Sequence, residues 1–289
     1  MAALDYETVG NDLFFNLSLV VVVKKGVHSL ENLILRGNSM QQLHNKTVLV
    51  TGASRGIGHS IASVLHRDGA NVIIHAGSNL DQANRLAQSL GDRCMVFQAD
   101  FFDSTAIDRL WFNAVGWTGT IDVLVNNAGV FASSKIEDDD DWVNGWKTNL
   151  TINLVAAATL CRLAIQHFRN GNGGTIINIA SRSAHQGDDS KHLAYGATKG
   201  GLLALTKGIA RGFANEGILA YALAPGWVRT NMAEDYISEV GEEKICETLP
   251  MREITPPSEI GEIVSFLASG RARHATGCTI DITGADYVR

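Results

Sequence analysis

The octapeptide TGASRGIG, Thr51 to Gly58, decides how the rest of the chain is read. The apolar run 46–50 before it suits a short buried strand, and the apolar spacing of Ile57 to Arg67 after it suits a helix. The octapeptide is therefore a glycine turn between a strand and a helix. Gly52 permits a tight turn, Gly56 has no side chain to hold an anion off the backbone, and Gly58 permits close packing of helix on strand. The free amides and positive dipole end of such a helix favour an anion, most simply the pyrophosphate of a dinucleotide. Taken alone, a glycine triplet also fits an ordinary turn.

Working outward, apolar runs at 71–75, 93–99, 121–125, 175–180, 218–224 and 278–282 alternate with helical segments. They are apolar on both faces, as parallel strands are when helices cover both sides. With 46–50 they predict one α/β domain of Rossmann type, a doubly wound, mostly parallel sheet of seven strands over residues 45–289. No composition break, Pro-rich linker or internal repeat calls for a second domain.

The chain of 289 residues is 45% hydrophobic, with a formal charge of −6 and a pI near 5.8. This balance, with no cluster of Lys or Arg, argues against nucleic acid as a partner. Cys94, Cys161, Cys246 and Cys278 lie far apart and form no C-x-x-C pair, which disfavours a metal site or a disulfide framework and suits a reducing cytoplasm. Residues 1–44 are an extension of unknown role. The apolar stretch Leu13 to Val23 is too short to span a bilayer and lacks a positive flank, so neither a membrane span nor a signal peptide is expected. The stretch suits either an extra strand or helix laid against the domain or a tail translated from an upstream start, and Met40, just ahead of the first strand, favours the second. The acidic run Glu137 to Asp141 suits a helix N-terminus, where carboxylates complement the dipole.

The candidate chemistry lies near the carboxyl ends of the strands, where ligands gather in open α/β sheets. Asp100 closes the third strand. Asn126-Asn127-Ala128-Gly129 closes the fourth with small residues that leave room for ribose and phosphates. Ser181 closes the fifth, and Tyr195-Gly-Ala-Thr-Lys199 follows fourteen residues later on a predicted helix reaching about Asn215. The four-residue spacing puts phenol and ammonium on one helix face. Alone, Y-x-x-x-K is usually a solvated surface pair; after a strand-terminal serine it reads as chemistry. A free phenol has a pKa of roughly 10, and a cation within a few ångströms favours the phenolate, so Lys199 is expected to tune Tyr195 into a general acid/base.

In register, these motifs resemble the short-chain dehydrogenases/reductases over about residues 44 to 289. The resemblance implies that Ser181 bonds the substrate oxygen, Tyr195 exchanges the proton and Lys199 also holds the nicotinamide ribose. Asn149, in WKTNL, would support a water chain to the lysine; otherwise it is a helix polar residue bonding locally. Gly52, Ser54, Arg55, Ile57, Gly58, Asn126, Ala128 and Gly129 would cradle the coenzyme, with Tyr195 and Lys199. Asp100 would meet the adenine, unless it merely caps a turn. Pro225, Gly226, Val228 and Thr230, in a P-G-x-x-x-T stretch, would contact the carboxamide and phosphates, and residues 231–252 would form a partly helical flap that excludes water. At the C-terminus, Ile282-Thr-Gly-Ala285 has one glycine where the family usually has two.

The nearest pattern is the 3-oxoacyl-carrier-protein reductase branch. The resemblance therefore implies a reductase or dehydrogenase acting on a carbonyl or secondary alcohol, with a sugar or polyol dehydrogenase and a non-catalytic NADP(H)-binding regulator as alternatives. The polar loop Arg182 to His192 favours a polar substrate. An NAD-preferring enzyme of this fold carries an acid at the end of the second strand; this chain reads His75-Ala76-Gly77-Ser78 there, and Arg55 can reach a 2′-phosphate, so NADP(H) is expected. Small residues at Val155-Ala-Ala-Ala158 and at Gly200, Gly201 and Ala204 suit helix pairing in a homotetramer or dimer.

Overall fold

The computed structural model of the protein describes residues 42–289 other than 231, 232, 234–236 and 239. The expected extension, with its apolar stretch, lies outside the described residues except for its last few positions. Leu43 is fully buried and its amide donates to the Asp68 carbonyl, so the packed chain begins ahead of the expected boundary at Asn45.

Seven parallel strands form one sheet in the order β3-β2-β1-β4-β5-β6-β7. They are β1 (Thr47–Val50), β2 (Asn71–Ala76), β3 (Cys94–Gln98), β4 (Val123–Asn126), β5 (Gly174–Ile179), β6 (Ile218–Pro225) and β7 (Thr279–Ile282). Their ends fall within two residues of the apolar runs. Alternation assigns the faces: Val48 and Val50 point to one side and Leu49 to the other. The first side is covered by α1 (Gly56–Arg67), α2 (Leu80–Leu90) and α9 (Pro257–Ala268), through Ile61, Leu65, Leu86, Ile260 and Val264. The second is covered by α3 (Ser104–Thr118), α5 (Ala156–Arg169) and α7 (Leu193–Phe213), through Leu110, Leu160, Phe168 and Ile209. Both layers are apolar because the inner strands are covered on both faces, whereas the edge strands β3 and β7 are partly open. The strand order reverses at β1, which has β2 on one side and β4 on the other, so a crevice opens at their carboxyl ends.

Helix α4 (Asp139–Asn149) begins as the acidic run suggests: Asp138 caps it by accepting the Asp141 amide at 3.0 Å. It continues into α5 through a π-helical stretch, Leu150–Val155. The continuous helix Asp139–Arg169 is long and apolar enough to cross a membrane, but Ala156, Leu160, Ala164 and Phe168 pack on the sheet. The small residues expected to pair helices between subunits are partly used within the chain. Ala156 and Ala157 are buried, and a Cβ on Gly201 would stand 2.9 Å from Leu154, whereas Val155 is 55% exposed.

The described part of the expected flap includes α8 (Glu242–Thr248), whose Ile245 packs with Ile237, Leu249 and Ile254 next to Trp227. In the C-terminal turn Gly284 (φ 60°) and Ala285 (φ 65°) are both left-handed, so an L-residue occupies a conformation that favours glycine.

Candidate active site

The glycine turn has the shape its spacing requires. Gly52 has φ 62°, and a Cβ there would fall 2.8 Å from Ala128 Cα. A Cβ on Gly58 would fall 2.4 Å from the Gly52 carbonyl, so helix and strand approach as closely as glycine allows. Helix α1 starts after Arg55 with no side-chain cap, leaving its first amides facing a cleft of about 650 Å³. Gly52, Ser54, Arg55, Ile57, Gly58, Asp100, Ala128, Gly129, Tyr195, Lys199 and Thr230 all line that cleft. Asp100 also accepts the Phe102 amide at 3.0 Å, so it caps a turn while facing the cleft.

Several expected ligands do not line this cleft. Asn126 points into the core, donating to Asn178 Oδ1 at 2.9 Å and to Cys161 Sγ at 3.2 Å. Its neighbour Asn127 takes the cleft position and clamps the glycine turn, donating to the Thr51 and Gly52 carbonyls at 2.8 and 3.1 Å. The reason is period: Asn126 is the last strand residue with an inward side chain, and Asn127 is the first beyond it. Pro225 ends β6 opposite Ile282, the Gly226 amide donates to Ile282 at 2.9 Å, and Val228 bridges to Thr255. These three brace the turn that carries Thr230 to the cleft, where its Cγ2 lies 3.3 Å from a Cβ built on Gly56.

His75, near the carboxyl end of β2 where no acid stands, is part of this machinery. Its Nδ1 accepts the Gly52 amide at 3.1 Å, its Nε2 lies 3.0 Å from the Ala99 carbonyl, and its ring stacks on Phe101 at 4.4 Å. Burial pushes the imidazole down to about 4, so it is neutral with the proton on Nε2.

Tyr195 and Lys199 lie one turn apart on α7, with the lysine Nζ 5.7 Å from the phenol ring centroid and 2.9 Å from the Ile179 carbonyl. Ser181 follows β5. Its Oγ accepts the Ser183 amide at 3.1 Å and donates to Ser183 Oγ at 3.2 Å. The expected lowering of the phenol by Lys199 is not what this geometry produces. Burial pushes Tyr195 up to about 12, the neighbouring Ser181 hydroxyl pulls the other way and the Asp188 charge adds to the rise. Burial also brings Lys199 down to about 8.

The asparagine facing this group is Asn153, four residues beyond Asn149. Asn153 accepts the Val130 amide at 2.8 Å and donates to the Val130 carbonyl at 2.9 Å. A Cβ on Gly129 would stand 3.3 Å from its Oδ1 and 3.4 Å from Lys199 Nζ. Asn149 is one layer back, donating to the Ala132 and Gly145 carbonyls and accepting from Asn153 at 3.0 Å. The sequence contains the near-repeat TNL/TINL, and the π-helical stretch sets which copy faces the loop.

Comparison with known proteins identifies the family. The family model described as Enoyl-(Acyl carrier protein) reductase matches residues 52–284. Oxidoreductase UcpA of Salmonella typhimurium is 32% identical over 259 residues, 85% of this chain and 95% of that protein. The 3-oxoacyl-[acyl-carrier-protein] reductase FabG of Staphylococcus aureus (strain Mu50) is 32% identical over 246 residues, 84% and 98% of the two chains. The crystal structure titled short-chain dehydrogenase/reductase SDR:Glucose/ribitol dehydrogenase, from Brucella melitensis, superposes with a TM-score of 0.79 at 28% identity, covering 86% of this chain and 99% of the other. With the glycine turn, the sheet and the Ser181, Tyr195 and Lys199 group in place, the chain is an oxidoreductase that belongs to the short-chain dehydrogenase/reductase family.

Proposed function

We propose that the protein is an NADP(H)-dependent oxidoreductase acting between a carbonyl and a secondary alcohol, with the chemistry of the 3-oxoacyl-carrier-protein reductases it resembles. The observation that carries this reading is the convergence of Ser181, Tyr195 and Lys199 beside the cleft that begins at the glycine turn. The residues suit a dinucleotide: α1 starts without a side-chain cap, and glycines stand where a Cβ would crowd the cleft. NADP(H), when bound, supplies or accepts the hydride.

The chain's own residues would handle the oxygen and the proton. Tyr195, protonated at neutral pH, would donate to the carbonyl oxygen during reduction, and Ser181 would hold that oxygen. Lys199 would orient the coenzyme ribose and balance charge on the phenol, and Asn153 would hold the loop at Gly129 and Val130 in place. Arg55 would receive a 2′-phosphate, since no carboxylate ends β2.

Replacing Tyr195 with Phe tests the reading: turnover falls about 10²- to 10⁴-fold while coenzyme binding persists. Substantial remaining activity at neutral pH would remove Tyr195 from its role. A panel of ketones that leaves NADPH unoxidised would favour a non-catalytic regulator. We further place the protein in the cytoplasm as a homotetramer or dimer, with the residues before Leu43 as an extension to the catalytic domain. Within the same chemistry, a sugar or polyol substrate is favoured by the polar loop after Ser181.

A further inference from the structure

Next to Ser181 the structure holds a carboxylate that the catalytic scheme does not use. Ser181 Oγ donates to Ser183 Oγ at 3.2 Å, and Ser183 Oγ donates to Asp188 Oδ2 at 2.6 Å, so two hydrogen bonds link the serine to Asp188. The other oxygen, Oδ1, accepts the Asp189 amide at 3.0 Å. A carboxylate offers about four acceptor positions, so Asp188 retains capacity for further donors.

The charge of Asp188 is offset only in part: the Arg182 guanidinium lies close enough to interact with it, and it also acts on the Tyr195 phenol. Among the described residues it forms no direct ion pair. Arg182 pairs with Asp286 and lies over the Trp227 ring, His192 bonds Asp189 at 2.8 Å, and Lys199 bonds the Ile179 carbonyl. The facing wall is aromatic: Phe131 stacks on His192 at 3.8 Å and meets Tyr195 edge-on at 4.8 Å. A negative charge this close to the reacting oxygen opposes the alkoxide that builds up there during reduction, and it repels a substrate carboxylate. A substrate that brings its own donor beside the carbonyl turns the same charge into a binding contact.

We propose that Asp188, through its bond with Ser183, selects carbonyl substrates bearing a hydroxyl or ammonium group adjacent to the reacting carbon and rejects those bearing a carboxylate. The inference rests on the oxidoreductase reading and narrows its substrate to hydroxylated ketones and the matching diols or polyols. A hydrogen bond to a charged group is strong enough to change kcat/KM tenfold or more.

The test compares 1-hydroxy-2-butanone, 2-butanone and 2-oxobutyrate with NADPH, in the full chain and in Asp188→Asn. The parent should prefer the hydroxyketone over 2-butanone at least tenfold and use 2-oxobutyrate least. Asp188→Asn should shrink the hydroxyketone preference about tenfold and raise the relative rate on 2-oxobutyrate. Ser183→Ala keeps the carboxylate and should still discriminate against 2-oxobutyrate. An unchanged ranking in Asp188→Asn, or an equal loss on all three substrates, overturns the proposal. If that variant does not fold, the parent decides: equal rates on the three substrates overturn it. A parent that oxidises NADPH with none of them removes the oxidoreductase reading, and this inference with it. That outcome differs from an active enzyme with a flat ranking.

Discussion

Gly52 donates its amide to Nδ1 of His75 at 3.1 Å, tying the glycine turn to the end of the adjacent strand. The opposite nitrogen, Nε2, faces the Ala99 carbonyl at 3.0 Å, so only the neutral ring with Nε2 protonated satisfies both contacts. One side chain thus sets the spacing between the turn after β1 and the loop after β3 that carries Asp100.

The pH dependence follows from burial of that ring, which lowers its pKa from 6.5 to about 4. Between these values the unfolded chain binds a proton that the native ring refuses, so this contribution to stability is present above 6.5 and is lost as pH falls towards 4. The expected loss is roughly 2 kcal/mol between pH 7.5 and pH 5. Urea unfolding of the parent and His75→Asn at the two pH values measures it. The variant should show a shallower pH slope by about that amount, and identical slopes would remove His75 as the cause.

Asn153→Ala should cost more catalysis than Asn149→Ala. Without its side chain, the Val130 amide and carbonyl lose their partner, each at about 1–3 kcal/mol, and the loop beside Lys199 is released. We expect kcat to fall tenfold or more for Asn153→Ala, while Asn149→Ala acts mainly on thermal stability. Steady-state kinetics with melting curves separate the two, and the reverse order would return the role to Asn149.

Coenzyme choice turns on Arg55 and Ala76. The parent should favour NADPH, Arg55→Ala should lose most of that preference, and Ala76→Asp should tilt it towards NADH. A charge-assisted bond of this kind contributes roughly 1.5–3 kcal/mol, about ten- to over a hundredfold in affinity. The kcat/KM ratios for both coenzymes measure it, and a parent indifferent to the 2′-phosphate would contradict the assignment.

Ala285→Gly should stabilise the protein. The left-handed region costs an L-residue about 1–2 kcal/mol, and the glycine gives back part of this as unfolded-state entropy. A gain of a few tenths to about 1 kcal/mol in denaturant unfolding is expected, and a loss would mean that the alanine methyl makes a contact worth more than the strain.

The sequence by itself determined the architecture and the chemistry-bearing positions. Strand and helix periods of 2 and 3.6 are local, so seven apolar runs and one glycine turn are enough to define a doubly wound sheet and its crevice. Ser181, Tyr195 and Lys199 were legible for the same reason, since each stands at a strand end or at helical spacing. Contacts between distant segments were not legible. The π-helical stretch shifts the helix phase, so tertiary structure decided that Asn153 faces the Gly129–Val130 loop and Asn149 does not. Where strand β4 ends decided that Asn126 turns inwards and Asn127 holds the glycine turn. Burial likewise determined that the phenol of Tyr195 lies high and the imidazole of His75 low, because desolvation depends on everything packed around a group and no spacing along the chain encodes it.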